Sequence, residues 1–194
     1  MNSTIRKIFF LLFLLAAAVF AVEAAHANAR QANITDVIVT NSEEDVIVYL
    51  SLEDCFTPEM EKAVFAGITT TFIFTIELYL HRGVWFDKKI SSVEIRHSMK
   101  YDNIKRTLFV SYSHRGARGE PEQFTDFTKA QRAMTDLNGV PVAELADLDR
   151  SRRYYVRIRA KLDKVPLPMD IRNTMLFSSL WYFETDWVRQ DFVY

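Results

Sequence analysis

Apolar and polar residues alternate with a period of two along much of the chain. In the segment 71–81 every second residue is large and apolar, and most residues between them are polar. The apolar positions are Phe72, Phe74, Ile76, Leu78 and Leu80, and the polar ones are Thr71, Thr75, Glu77 and His81. Because successive side chains of a strand point to opposite faces of a sheet, this pattern predicts a strand with one face against a core.

Other segments carry the same kind of signal. The alternation recurs over 92–101 and 108–112. The segments 34–41 and 45–52 are rich in β-branched residues, and the short connection between them predicts a hairpin. With the segment 152–162, "RRYYVRIRAKL", the chain is predicted to contain about six strands, and the aromatic C-terminal segment would add one or two.

Two segments show helix signals instead. In the first, Thr57 and Pro58 form a typical N-cap and first-turn pair, and Gly67 suits the end of the helix. Its buried stripe is predicted to consist of Met60, Ala63 and Val64.

The second helix is predicted over 127–137, with Thr125 or Asp126 as its N-cap and Asn138-Gly139 at its end. The following segment, 140–153, is predicted to be a loop. Strands joined by short connections with two inserted helices favour a mainly β protein, an antiparallel β-sandwich with two short helices. The alternative is an α+β fold, a twisted antiparallel sheet with the helices on one face.

The N-terminal residues 1–27 have the pattern of a secretory signal peptide. Arg6 and Lys7 precede an uncharged run of 15 residues, 8–22, and Ala25-His26-Ala27 suits cleavage before Asn28. A membrane-spanning helix needs about 20 apolar residues, so a retained anchor is disfavoured. We therefore expect a periplasmic or secreted protein, with one β-rich domain over 28–194 and no stable membrane insertion after cleavage.

Composition removes several function classes. The chain has 24 basic and 25 acidic residues among 194, a net charge of −1, which offers no general attraction to nucleic acid. Its one cysteine, Cys55, cannot form an internal disulfide, and its role is left open. There is no paired-cysteine, HExxH, GxSxG or phosphate-loop motif, so no metal, cofactor or catalytic residue set is predicted.

Three sets of residues are candidates for binding. The first is the basic stripe Arg157, Arg159 and Lys161, which fits either the solvated face of a strand, the favoured interpretation, or a surface for an acidic partner. The second is Trp187 and Tyr194, which we expect to be left over from the core as an exposed aromatic patch for a partner.

The third set comes from a repeated motif. "YLHRG" ends one predicted strand and "YSHRG" ends another, so His81, Arg82, His114 and Arg115 could together bind an anion. Turn chemistry at the two glycines is the favoured explanation, because no acidic pair or third ligand recurs at matching spacing. An enzyme that uses both histidines is a distant alternative.

Several segments carry a resemblance to a known family. They are "EMEKAVFAGITTTFIFTIELYLHRGVWFD", "YYVRIRAKLDKVPLP", and the closing "SLWYF" and "DW". In this order, they resemble a family of exported bacterial proteins known only as domain of unknown function 4390. Related sequences often have a second proline where this chain has Met169-Asp170, so the conformation of that loop is open.

The resemblance implies an envelope protein whose gene often lies beside those of membrane sensor kinases, and it supplies no catalytic residues. The preferred function is a non-enzymatic protein-interaction module that binds a partner in the envelope, such as a sensor kinase. The alternative is a carrier of a lipid or small molecule, held between the Phe-rich strand and the second helix.

Overall fold

The computed structural model describes residues 32–163 and 183–194, and all structural statements below concern these two ranges. In chain order the elements are β1 (Asn33–Asn41), β2 (Asp45–Glu53), α1 (Pro58–Phe65), β3 (Thr70–Leu80), β4 (Lys88–Asp102), β5 (Thr107–His114), β6 (Ala117–Arg118), β7 (Glu122–Phe124), α2 (Phe127–Thr135), β8 (Asp136–Glu144), a 3-10 turn (Leu145–Asp147), β9 (Arg153–Leu162) and β10 (Val188–Val193). The predicted signal peptide lies outside the described residues.

The strands form two antiparallel sheets. One has three strands in the order β1-β2-β8, and the other has seven, in the order β10-β9-β3-β4-β5-β6 with β7 also paired to β5. This is a mainly β, sandwich-like fold with two short helices, and it confirms the predicted fold class. The hairpin predicted at the N-terminus is β1 and β2, whose turn is closed by a hydrogen bond from the Ser42 amide to the Asp45 carbonyl, 2.8 Å.

The period-two pattern predicted the inner face of the large sheet. Alternate residues of β3, β4 and β9 are buried, as the sequence predicts, and they pack in one cluster with apolar residues of β2 and α2. The completely covered side chains include Phe72, Phe74, Ile76, Leu78, Met99, Val156, Ile158 and Val48. Because burial of a large apolar side chain stabilises a protein by about 1.5–3 kcal/mol, this cluster is the main source of stability.

Helix α1 forms where its capping signals predict. The Thr57 hydroxyl accepts a hydrogen bond from the Met60 amide, 3.2 Å, and Pro58 occupies the first turn. Gly67 follows the helix with a φ of 86°, a left-handed conformation that favours glycine. The predicted stripe Met60, Ala63 and Val64 is buried.

The region after α2 corrects the sequence prediction. The N-cap is Asp126, which accepts from the Lys129 amide at 2.9 Å, but the helix ends at Thr135 and not at Leu137. The chain then enters β8, a nine-residue strand where a helix end and a loop were predicted. Gly139, with a φ of 80°, lies in an irregularity of the β2–β8 register, between the pairs Val48–Val140 and Leu50–Leu137.

A proline is accepted in β8 because of where the strand lies. Pro141 cannot donate a ladder hydrogen bond, and such residues are restricted to edge strands and bulges. β8 is at the edge of its three-stranded sheet. No described helix is both long and apolar enough to cross a membrane.

Candidate functional site

The basic strand β9 lies beside β3, and its register decides what the arginines face. Glu77 of β3 is opposite Arg157, and Thr75 is opposite Arg159. The apolar half of β9 is buried, whereas Arg157, Arg159 and Lys161 are partly exposed on the other face of the sheet. We call this second face of the seven-stranded sheet the outer face. The alternation proposed for "RRYYVRIRAKL" is confirmed.

Glu77 is the charged centre of the outer face. It is only 8% exposed, yet it accepts hydrogen bonds from Tyr79, 2.9 Å, and Arg157, 2.8 Å, and forms an ion pair with Lys89. Burial alone would raise the pKa of Glu77, but the hydrogen bonds from Lys89, Arg157 and Tyr79 outweigh it and hold the pKa below its ordinary value. The carboxylate therefore stays ionised and fixes the Arg157 side chain.

The indole of Trp187 lies against two guanidinium groups. The guanidinium carbon of Arg157 is 4.5 Å from the centre of a Trp187 ring, and that of Arg159 is 4.7 Å away. Arg159 also forms an ion pair with Glu184. We call Arg157, Arg159 and Trp187 the Arg–Trp cluster. Cation–π contact and the two acidic partners hold all three side chains in place while leaving each about one-third exposed.

The aromatic contacts continue towards one end of the strands. Tyr79 and Tyr155 are stacked, with ring centres 5.2 Å apart and planes at 6°, and the Arg189 guanidinium lies 3.6 Å from the centre of the Tyr155 ring. The Tyr155 hydroxyl donates to Asp87 at 2.9 Å. Burial and then this carboxylate raise the pKa of Tyr155. The outer face is thus one connected set of cations, rings and carboxylates.

Asp87 joins the outer face to the connection between β3 and β4, residues 81–87, which we call the β3–β4 loop. It accepts a hydrogen bond from the Arg82 amide, 2.8 Å, and lies 3.2 Å from His81 Nδ1. Hydrogen bonds from Arg82 and Tyr155 hold the pKa of Asp87 below its ordinary value. The base of this loop is therefore fixed to the sheet.

The tip of the β3–β4 loop is a feature that sequence reasoning missed. Val84, Trp85 and Phe86 are 91%, 78% and 96% exposed. The sequence contains a signal for this patch, three consecutive apolar residues after Gly83. The period-two pattern predicts only the strands on either side of it. These three residues form an exposed apolar patch that contains two aromatic rings.

The exposure predicted for the two C-terminal aromatic residues is found at Trp187 but not at Tyr194, which is half-buried. Trp187 is 36% exposed and carries the two guanidinium groups on its ring. Tyr194 packs against the core, and its backbone bonds to Ser151 and Arg152. The two side chains do not form one patch, because Tyr194 pairs near the start of β9 whereas Trp187 faces its middle.

The repeated His-Arg-Gly motif does not assemble a site. His114 pairs with Ile95, and Ile95 pairs with Phe74, which is seven residues before His81. At about 3.3 Å per residue, the two histidines are roughly 20 Å apart along the sheet. Arg82 and Arg115 are separated with them, so the four residues do not bind one anion together. Gly116, with a φ of 83°, occupies a turn, as expected.

A cleft between β5 and β8 contains other titratable groups. His97, Tyr112, His114 and Glu122 line it. The Nδ1 of His97 lies 3.0 Å from the Met134 carbonyl, and because a carbonyl only accepts, the neutral ring carries its proton there. Burial lowers the pKa of His97 to about 4. His97 is thus a buried core histidine with one satisfied hydrogen bond.

Cys55 and the acidic groups give no sign of a metal centre. Burial raises the pKa of the Cys55 thiol to about 12, which leaves it protonated and unreactive. Among the described residues, no group of three or more His, Cys, Asp or Glu side chains could hold a metal ion.

The fold and the outer face define a class of protein, a β-sandwich-like module with a preorganised cation–aromatic surface. Its sequence over residues 29–191 matches the family model of a domain of unknown function, DUF4390. The chain belongs to this family, as its resemblance indicated. No curated protein and no solved structure matched the chain.

Proposed function

We propose that the protein is a non-enzymatic protein of the bacterial envelope that binds another protein through its outer face. The Arg–Trp cluster is the observation that carries this proposal. Arginine, tryptophan and tyrosine dominate the binding energy of protein interfaces, and here they lie together on a partly exposed sheet face.

The cluster suits binding because its side chains are already ordered. Glu77 holds Arg157, and Glu184 holds Arg159, so a partner would not have to immobilise two long flexible chains. The exposed parts of both guanidinium groups remain able to donate to a carboxylate of a partner. An acidic surface in the sensor region of a membrane kinase is the partner chemistry that fits best.

Packing disfavours the alternative function, a carrier. Its ligand would lie between the Phe-rich strand β3 and helix α2. Side chains occupy this place: Phe56 lies 5.1 Å from Phe72 and 5.8 Å from Phe127 between ring centres. Ala130 and Met134 of α2 are completely covered. Binding of an apolar ligand there would require these rings to separate.

The proposal includes export, which the N-terminal sequence supports. Cleavage after Ala27 would release a mature chain that starts at Asn28. Fractionation of cells followed by N-terminal sequencing tests this step. We expect the protein in the periplasmic fraction with Asn28 as its first residue; a cytosolic protein that keeps Met1 would contradict it.

The binding step is tested by the affinity of the purified protein for the periplasmic region of a membrane sensor kinase. We expect Trp187→Ala to weaken binding at least about tenfold, because it removes the ring between the two arginines. The matched control is Lys161→Ala, on the same strand face but outside the cluster, for which a change below about threefold is expected. Equal affinities for the wild-type protein and Trp187→Ala would overturn the proposed surface.

A further inference from the structure

The tip of the β3–β4 loop exposes three adjacent apolar side chains to water. Val84, Trp85 and Phe86 are each more than three-quarters exposed. Scattered apolar residues are normal on a protein surface, but adjacent ones at one projecting point mark an interaction site. The proposed function does not use these residues, because the Arg–Trp cluster lies in the middle of β9.

The base of the loop is attached to the sheet through Asp87. Asp87 is bound to the Arg82 amide, to the Tyr155 hydroxyl and to His81. The tip therefore stands at the end of the β3–β4 hairpin and is not folded back on the sheet, as the exposure of 96% for Phe86 demonstrates.

Two cations flank the apolar tip. The side chains of Arg82 and Lys88 are exposed and form no ion pair, among the residues that the structure describes. Lys89 differs, because it is paired with Glu77. The apolar tip thus has one positive charge before it in the chain, on Arg82, and one after it, on Lys88 at the start of β4.

This combination of apolar and basic side chains favours a lipid bilayer, and not a protein, as the binding partner of the loop. A stable protein interface needs about 800 Å² from each partner, which a tip of three side chains does not provide. Interfacial membrane anchors require less: a few Trp, Phe or Leu side chains enter the headgroup boundary while Lys and Arg bind anionic lipids. Tryptophan in particular prefers this depth of the bilayer.

We propose that the β3–β4 loop docks on the surface of an anionic phospholipid bilayer. Trp85 and Phe86 enter the interfacial region, and Arg82 and Lys88 contact the lipid phosphates. Docking at this end of β3 leaves the outer face accessible to a protein partner in the same membrane.

Sedimentation with lipid vesicles tests the proposal. The protein is purified in the form that cells accumulate and is mixed with vesicles of phosphatidylethanolamine and phosphatidylglycerol. We expect the double variant Trp85→Ser, Phe86→Ser to bind at least about tenfold more weakly than the wild type. Arg82→Gln and Lys88→Gln should each weaken binding about fivefold, and added salt should reduce the difference.

Ile104→Ser is the matched control, because Ile104 is 95% exposed in the turn at the opposite end of β4 and Lys105 follows it in sequence. It should bind vesicles as the wild type does. Equal vesicle binding by the wild type and the double variant would overturn the proposal. So would loss of kinase binding in the double variant without any vesicle binding by the wild type, since the loop would then serve a protein.

Discussion

Glu77 shows most clearly how one residue organises the surface. A carboxylate that is 8% exposed would be destabilising without partners, and here Tyr79, Arg157 and Lys89 supply them. The sequence predicted its face of the strand but not its burial. The partners that stabilise the buried carboxylate include Lys89 and Arg157, which are 12 and 80 positions away and which no local pattern relates to Glu77.

Replacement of this carboxylate should destabilise the protein. We expect Glu77→Gln to lower the free energy of unfolding by about 1–2 kcal/mol, because an amide accepts the charged donors less well. Urea denaturation measures the change. Glu94→Gln is the matched control, since Glu94 pairs with Arg96 but is 51% exposed, and a change below about 0.5 kcal/mol is expected. Equal losses of unfolding free energy in the two variants would show that the buried Glu77 carboxylate contributes no more to stability than an exposed one.

His97 predicts a dependence of stability on pH. Burial, partly offset by the hydrogen bond to the Met134 carbonyl, lowers its pKa from 6.5 to about 4. Well above pH 6.5, His97 is neutral in both the folded and the unfolded chain, and it does not reduce the free energy of unfolding. As the pH falls towards 4, the unfolded chain takes up a proton that the folded chain resists, and stability falls by up to about 3 kcal/mol.

The measurement is the free energy of unfolding between about pH 7 and pH 5, where few carboxylates titrate. His97→Gln retains a donor for the carbonyl and has no proton to take up in this range. We expect its stability to change less with pH than that of the wild-type protein, whatever its absolute value. An identical slope in the two proteins would show that another group is responsible.

At the scale of elements, local signals were sufficient where they agreed with each other. The N-cap of α1, the β1–β2 hairpin and the alternation of β3, β4 and β9 all follow from sequence. β8 was missed because Asn138-Gly139 and Pro141 are turn and breaker residues. Tertiary structure overrides them: Gly139 occupies an irregularity in the register, and Pro141 lies in an edge strand.

Gly139 should be sensitive to substitution for the same reason. Its φ is 80°, and an added Cβ would lie 3.3 Å from the Tyr49 hydroxyl. We expect Gly139→Ala to lower the melting temperature and to reduce stability by about 1–2 kcal/mol. Gly119→Ala is the control, since nothing lies within 4 Å of its Cβ position. If the Gly139→Ala protein were as stable as this control, the left-handed conformation of Gly139 would be contradicted.

At the scale of the whole molecule, the two faces of the large sheet differ in their surroundings. The inner face packs against the rest of the core, and the outer face presents ordered charged and aromatic side chains. Sequence alone identified Arg157, Arg159 and Trp187 separately as candidates. Only the pairing of β9 with β10 brings them together, because it joins positions about 30 residues apart along the chain.

The central claim is that a protein partner contacts the Arg–Trp cluster in the cell. The most direct test is photo-cross-linking in living cells, with a photoreactive amino acid in place of Lys161, beside the cluster on the same strand face, or, as a control, in place of Thr40 on the exposed side of β1. We predict that the Lys161 position yields one adduct, identified by mass spectrometry as an envelope protein, and that the Thr40 position does not. No adduct at Lys161, or the same adducts at both positions, would contradict the account.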